Sequence, residues 1–276
     1  MSALLLLAAG AVLGLVLGLL GGGGGVLAVP LLIALGLPFL EASTMSLVVV
    51  GTGAAAALVP HQRAGRVDWR IGLTFGALGA VGAAFGARVA GLLPAPVLLG
   101  GLTALLVAGA TAMLGSGLRA REAARTPDST TEPDPGAEVA ELALARAERT
   151  PTPSGRITGR VLGLATSVGV VTGVFGVGAG FVVVPALVSG MRVPVKRATA
   201  TALVVIVMNS AVALAVRHGA ISDPRATVEL AMATAVFAVV GALVSRRVPG
   251  WVLALSFGTL LAVAAAYTLV RALISG

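Results

Sequence analysis

The sequence contains no cysteine and little charge: Asp, Glu, Lys and Arg make up 11% of its 276 residues, against about 25% in a soluble domain. Without cysteine there is no disulfide framework, no thiolate metal site and no cysteine nucleophile. Aromatic residues, at 4%, are too sparse for the stacking platforms of nucleic-acid-binding proteins. No long apolar segment carries an Asp or Glu at its centre; Glu41 and Glu229 lie near segment ends. Cation carriers and proton pumps usually place a carboxylate there. HExxH, Gly-x-Ser-x-Gly and His/Asp clusters are also missing. An intramembrane enzyme would lack its reacting groups, and no metal or cofactor is implied.

What is present is apolar. Hydrophobic residues reach 57% and mean hydropathy is +1.03, which points to a membrane protein before any motif is read. A spanning helix needs about 20 mostly apolar residues. The runs are 3–20 with 26–36, then 42–60, 71–91 and 95–116, and after a hydrophilic stretch 157–175 with 181–190, 196–216, 226–245 and 251–273. These predict an all-α, polytopic transmembrane bundle. Residues 1–20 read as part of it, not as a signal peptide: a basic n-region is missing, and the apolar pattern runs on through a glycine cluster. The formal charge of +8 sits mostly in short loops, as cytoplasmic loops of membrane proteins do, so nucleic acid is not the expected partner. The bilayer is.

The chain repeats itself. Gly14, Gly18, Gly21, Gly23, Gly25 and Pro30 match Gly169, Gly173, Gly176, Gly178, Gly180 and Pro185 at one offset of 155. After a one-residue slip, Pro38, Ala42, Ser43 and Leu47 match Pro194, Ala198, Thr199 and Leu203. His61 and the Gly-x-Val-Asp at 65–68 are set against His218 and the Gly-x-Ile-Ser at 219–222. This predicts a first transmembrane repeat over 1–116, a hydrophilic linker over 117–155 and a second repeat over 156–276. Within the linker, 126–136 has a disordered composition and 137–149 could form a short surface helix.

Charge suggests how the repeats are related. If each glycine-broken first segment is a hairpin, each half adds three further spans and the second half is inverted. Arg63, Arg66, Arg70, the linker, Arg192, Lys196, Arg197, Arg246 and Arg247 then share one side, as the positive-inside rule asks. Arg88, Arg217, Arg225 and Arg271 fall on the other. If each broken segment is one kinked span, the repeat is parallel and five of those basic residues fall outside. The inverted reading is favoured. Because 26–36 is short, the hairpins would be partly re-entrant.

The glycines at 21–25 are the sharpest local feature. Each costs a helix roughly 1 kcal/mol against alanine. Broken helix at membrane depth survives only inside protein or beside water. Freed N–H groups and a helix N-terminus would suit an anion; close packing of helices through small residues is the alternative. Hydroxyls and an amide follow each break: Ser43, Thr44, Ser46 and Thr52, then Thr199, Thr201, Asn209 and Ser210. They could replace part of an anion's hydration shell, or simply bond helix to helix. His61 and His218 could relay a proton or cap the interface. Lys196 and Arg197 could draw in an anion or mark topology.

The paired signatures, Gly18-Leu-Leu-Gly21-Gly-Gly-Gly-Gly25-x4-Pro30 and Gly173-Val-Phe-Gly176-Val-Gly178-Ala-Gly180-x4-Pro185, resemble the sulfite exporter TauE/SafE family of permeases. The segments Ala42-Ser-Thr-Met-Ser46 and Ala198-Thr-Ala-Thr201 fit it too, as does the linker between similar halves. The resemblance implies a multi-pass protein of the prokaryotic cytoplasmic membrane that transports sulfite, an organosulfonate or a similar sulfur oxyanion. The expected substrate site is at the midplane: Gly23, Gly24, Gly25, Gly178 and Gly180 offer backbone N–H groups, with Ser43, Thr44, Thr199, Thr201 and Asn209 around them. Alternating access is the expected mechanism. A channel, or a membrane scaffold without transport, is the alternative, and a homo-oligomer stays open.

Overall fold

The structure, a computed structural model, describes residues 3–21, 23–125, 159–176, 180–185, 187, 195–217, 223–245 and 250–275. All the regular structure among them is helical. In the first half α1 is Ala3–Leu20, followed by a 3-10 turn, Gly23–Leu27, then α2 (Ala28–Ala34), α3 (Phe39–Arg63), α4 (Trp69–Ala90) and α5 (Ala95–Arg125). In the second half α6 is Gly159–Phe175, α7 Gly180–Pro185, α8 Val195–Val216, α9 Pro224–Val244 and α10 Gly250–Ser275. Segments 126–136 and 137–149, Gly178 and His218 lie outside the described residues.

Local chemistry sets these boundaries. Pro38 is extended (φ −60°, ψ 151°) before α3 begins. Asp68 caps α4, its Oδ1 accepting from the Ile71 N–H at 3.1 Å. Asp223 caps α9 in the same way, from the Ala226 N–H at 3.0 Å, with Pro224 opening the helix. These two caps are 155 residues apart. The sequence match of Asp68 with Ser222 is therefore one residue out of register. The expected arm over 26–36 divides into the 3-10 turn and the seven-residue α2. Helix α5 runs on to Arg125, past the expected end at 116, because the segment Leu118-Arg-Ala-Arg-Glu-Ala-Ala-Arg125 is built of strong helix formers.

Among the described residues four stretches are long and apolar enough to cross a membrane: Phe39–Arg63, Trp69–Ala90, Arg197–Val216 and Pro224–Val244. Their outer faces are greasy. Leu73, Val81 and Phe85 on α4 and Val228, Met232 and Val236 on α9 are exposed, which suits lipid and not water. Polar side chains turn inward: Ser43, Thr44, Ser46, Thr201, Asn209 and Ser210, all on α3 and α8, are buried.

Helices α3 and α8 form the centre and pack on each other. Helix α1 lies along α9, and α6 along α4. Both seams are glycine seams. Gly14 and Gly18 sit on the backbone of Thr234 and Ala238, and Gly169 and Gly173 on that of Gly79 and Ala83. Each contact in the second pair is the first displaced by 155 on one side and by −155 on the other. Backbones this close gain dispersion contacts that lipid cannot supply, which is how helices associate in a bilayer. Along both seams the partners advance together in number, so the two helices run in the same direction.

The central pair does the opposite. Arg217, just past the end of α8, bonds Ser43 near the start of α3. Asp68, past the end of α3, donates its N–H to Thr201 Oγ1 near the start of α8 at 3.1 Å. Helices α3 and α8 are antiparallel. So are α5 and α10, where Thr103 donates to Thr268 at 3.0 Å and Gly258 meets Leu114.

Candidate substrate site

Each short broken segment begins with a glycine in the left-handed region. Gly21 (φ +57°) follows α1 and Gly176 (φ +66°) follows α6, the usual way to end a helix sharply. The Gly176 N–H donates to the Thr172 carbonyl at 2.9 Å. Neither position leaves space for a β-carbon, because the opposite half of the chain sits on it: Thr199 against Gly21, Ser43 against Gly176. The structure thus brings two of the expected residues to the two breaks, Ser43 by its hydroxyl and Thr199 by its methyl, each crossed over to the other half. The 3-10 turn also packs on α7, so the two broken segments meet.

Not every glycine is free for a ligand. Gly24 lies against the α1 backbone at Val16 and Leu17, and its lack of a side chain is what lets the chain fold back. Gly25 and Gly180 are buried at the start of the return path, and Gly23 opens the 3-10 turn.

A cation lies beside the second break. Arg217 Nη1 donates to Ser43 Oγ at 2.6 Å and to Thr44 Oγ1 at 3.4 Å. Its Nη2 donates to the carbonyls of Gly173 and Val174 at 2.6 and 2.9 Å. These carbonyls close the last turn of α6, where orphan acceptors and the negative end of the helix dipole favour a cation. Burial lowers the guanidinium pKa to about 10, so it keeps its charge at neutral pH. Its Nε is buried without a hydrogen-bond partner.

Further unpartnered atoms lie on the α3/α8 pair, from its middle towards Arg217. Ser46 Oγ, Asn209 Oδ1 and Ser210 Oγ are buried and accept no bond. Ser210 lies against Gly51, so Ser46 falls in the register between that crossing and Arg217, with Ser210 and Asn209 at the crossing itself. The Asn209 amide fits over Gly79 of α4. Thr44 also donates to the Leu40 carbonyl at 2.9 Å. Thr201 is spoken for by the Asp68 N–H. At the opposite end of the pair, Arg66, Arg70 and Arg197 line an open pocket of about 230 Å³ around Asp68. Among the described residues no group of His, Asp and Glu could hold a metal ion.

The family model for the sulfite exporter TauE/SafE matches residues 6–268. The chain belongs to the sulfite exporter TauE/SafE family. Two curated relatives are similar to it, both named "Probable membrane transporter protein" and both from Xylella fastidiosa, strains 9a5c and Temecula1 / ATCC 700964. Each is 32% identical over 209 residues, covering 74% of this chain and 70% of the relative. No solved structure matches. The chain is a multi-pass membrane transporter of the TauE/SafE family.

In this TauE/SafE chain, sequence reasoning passed over Arg217, counting it as a loop charge. A signal was available. Ser43 matches Thr199 and Leu47 matches Leu203 at an offset of 156, and an unbroken helix keeps its offset. The residue matching His61 is therefore Arg217 and not His218. His61 is buried, and Arg217 stands at the equivalent position.

Proposed function

We propose that this TauE/SafE transporter moves a small anion, sulfite or another sulfur oxyanion or organosulfonate, by alternating access between two inverted halves. The halves are 1–116 and 156–276, joined by the hydrophilic segment 117–155. The observation that carries this reading is the exchange at the two breaks, Thr199 on Gly21 and Ser43 on Gly176. Each half closes the other's broken helix with a small side chain, Ser43 through its hydroxyl and Thr199 through its methyl. The matched helices α3 and α8 run in opposite directions, as an inverted pair does, and so do α5 and α10. The basic residues Arg66, Arg70 and Arg197 meet at one end, which agrees with a shared cytoplasmic side. A bundle of this kind places its substrate where discontinuous helices meet, and opens by rocking one half against the other. Gly23, Gly24, Gly25, Gly178 and Gly180 would supply the backbone of that site, with Asn209 at the middle of the α3/α8 pair, Ser43 and Thr44 towards one end of it and Thr199 and Thr201 towards the other.

The test is flux from proteoliposomes loaded in turn with sulfite, thiosulfate, sulfoacetate, sulfate and chloride. Saturable efflux of a sulfur oxyanion, above that of protein-free vesicles, is the expected result. Flux that never saturates would point to a channel. No flux of any anion from folded, inserted protein would sink the proposal.

A further inference from the structure

We propose that Arg217 is the residue that receives the transported anion, with its guanidinium as the counter-charge and Ser46, Ser210 and Asn209 leading inward from it. This rests on the reading of the chain as an anion permease. The cation's own surroundings carry it. All four groups that Arg217 touches are neutral acceptors, two hydroxyls and two carbonyls. Among the described residues no carboxylate pairs with it. A charge largely withdrawn from water without a counter-charge is unfavourable, and an arriving anion would relieve it.

The fork is also incompletely used. Nε is buried and unbonded. An arginine edge formed by Nε and a neighbouring Nη matches two oxygens of a carboxylate, sulfonate or sulfur oxyanion. A halide cannot bridge that edge in the same way. The three buried side-chain oxygens without partners, on Ser46, Asn209 and Ser210, lie on the α3/α8 stretch that ends at Arg217. The serine hydroxyls are donors in waiting, and the amide of Asn209 carries two more N–H groups.

The same contacts say what arrival would do. Arg217 ties the end of α6 to the start of α3 through Gly173, Val174, Ser43 and Thr44. An oxyanion at the guanidinium competes with those bonds. Binding would loosen the second break from the central helix, which couples the ligand to the opening of that end.

The experiment compares wild type, Arg217→Gln, Arg217→Lys and Thr103→Val in proteoliposome efflux of sulfite and of chloride. It is paired with thermal unfolding of each purified protein titrated with sulfite. Thr103→Val removes the bond to Thr268, which joins α5 to α10 and does not involve Arg217, and controls for simple destabilisation. Arg217→Gln should raise KM for sulfite about tenfold or more and erase the stabilisation by sulfite. Arg217→Lys, with the charge but not the fork, should fall between it and wild type. Thr103→Val should unfold earlier with an unchanged KM. If Arg217→Gln does not fold, Arg217→Lys decides: a raised KM supports the proposal and an unchanged one overturns it. An unaltered KM and an intact sulfite-dependent shift in folded Arg217→Gln would overturn the assignment while leaving the permease standing. A wild type that neither binds nor moves any anion would overturn both.

Discussion

The two ends of the central α3/α8 pair are built on one plan and finished differently. At one end, Ser43 seats on Gly176 and a guanidinium from Arg217 bridges it to the end of α6. At the other, Thr199 seats on Gly21, and the residue matching Arg217 is the buried His61. Thr201 at that end is held by the Asp68 N–H, whereas Ser46 towards the Arg217 end and Asn209 and Ser210 at the middle of the pair have unpartnered oxygens. Backbone geometry repeats, down to the sign of φ at Gly21 and Gly176. The asymmetry lies in a few side chains. A transporter needs its two ends alike enough to exchange shapes and different enough to treat a solute differently on each side.

This comparison can be broken most severely at the glycine seams. Gly18→Leu and Gly173→Leu should each abolish the folded protein, since both meet backbone and overpacking there costs upwards of about 3 kcal/mol. Monodisperse yield after detergent extraction reads this. Tolerance of one but not the other would show that the seams are not equivalent.

The clamp should come next. Ser43→Ala removes a charge-assisted hydrogen bond, worth about 1.5–3 kcal/mol. Thr199→Ser, which keeps the hydroxyl, should cost less, about 1 kcal/mol for the methyl lost against Gly21. Thermal unfolding of the two variants side by side orders them, and a larger drop for Thr199→Ser would erase the proposed asymmetry. The helix caps offer a matched pair: Asp68→Ala and Asp223→Ala should each lose about 1 kcal/mol. Asp68→Ala keeps the backbone donor to Thr201, so that bond survives the change.

The smallest effect separates packing from function. Thr234 Oγ1 is buried without a partner and lies beside Gly53, as Asn209 lies over Gly79. Gly53 and Thr234 match Asn209 and Gly79, so the polar group has changed sides between the halves. Thr234→Val should leave stability within about 0.5 kcal/mol and flux untouched. Asn209→Ala should cut flux with a comparably small change in stability. Equal flux in both would return Asn209 to a packing role.

Much of this was written in the chain. Apolar runs and prolines located nearly every helix to within a few residues, because lipid demands long uninterrupted spans and leaves few alternatives. Glycine spacing announced both breaks and both seams, since only a residue without a side chain allows either. Ser43 and Thr199 were legible as site candidates because they recur at a constant offset. The extension of α5 to Arg125 was missed because a helix propelled by Ala, Leu, Arg and Glu outlasts the apolar stretch that signals a span.

Composition and periodicity by themselves determined a membrane bundle of repeated segments, since hydrophobicity and helix breaking are local properties of the chain. Only the tertiary structure decided which half packs on which, that α3 and α8 oppose each other, and that Arg217 turns inward to hydroxyls and carbonyls more than 40 residues away in sequence. Those depend on contacts between distant segments. A charge at a helix end looks the same in sequence whether it faces water or holds the protein's interior.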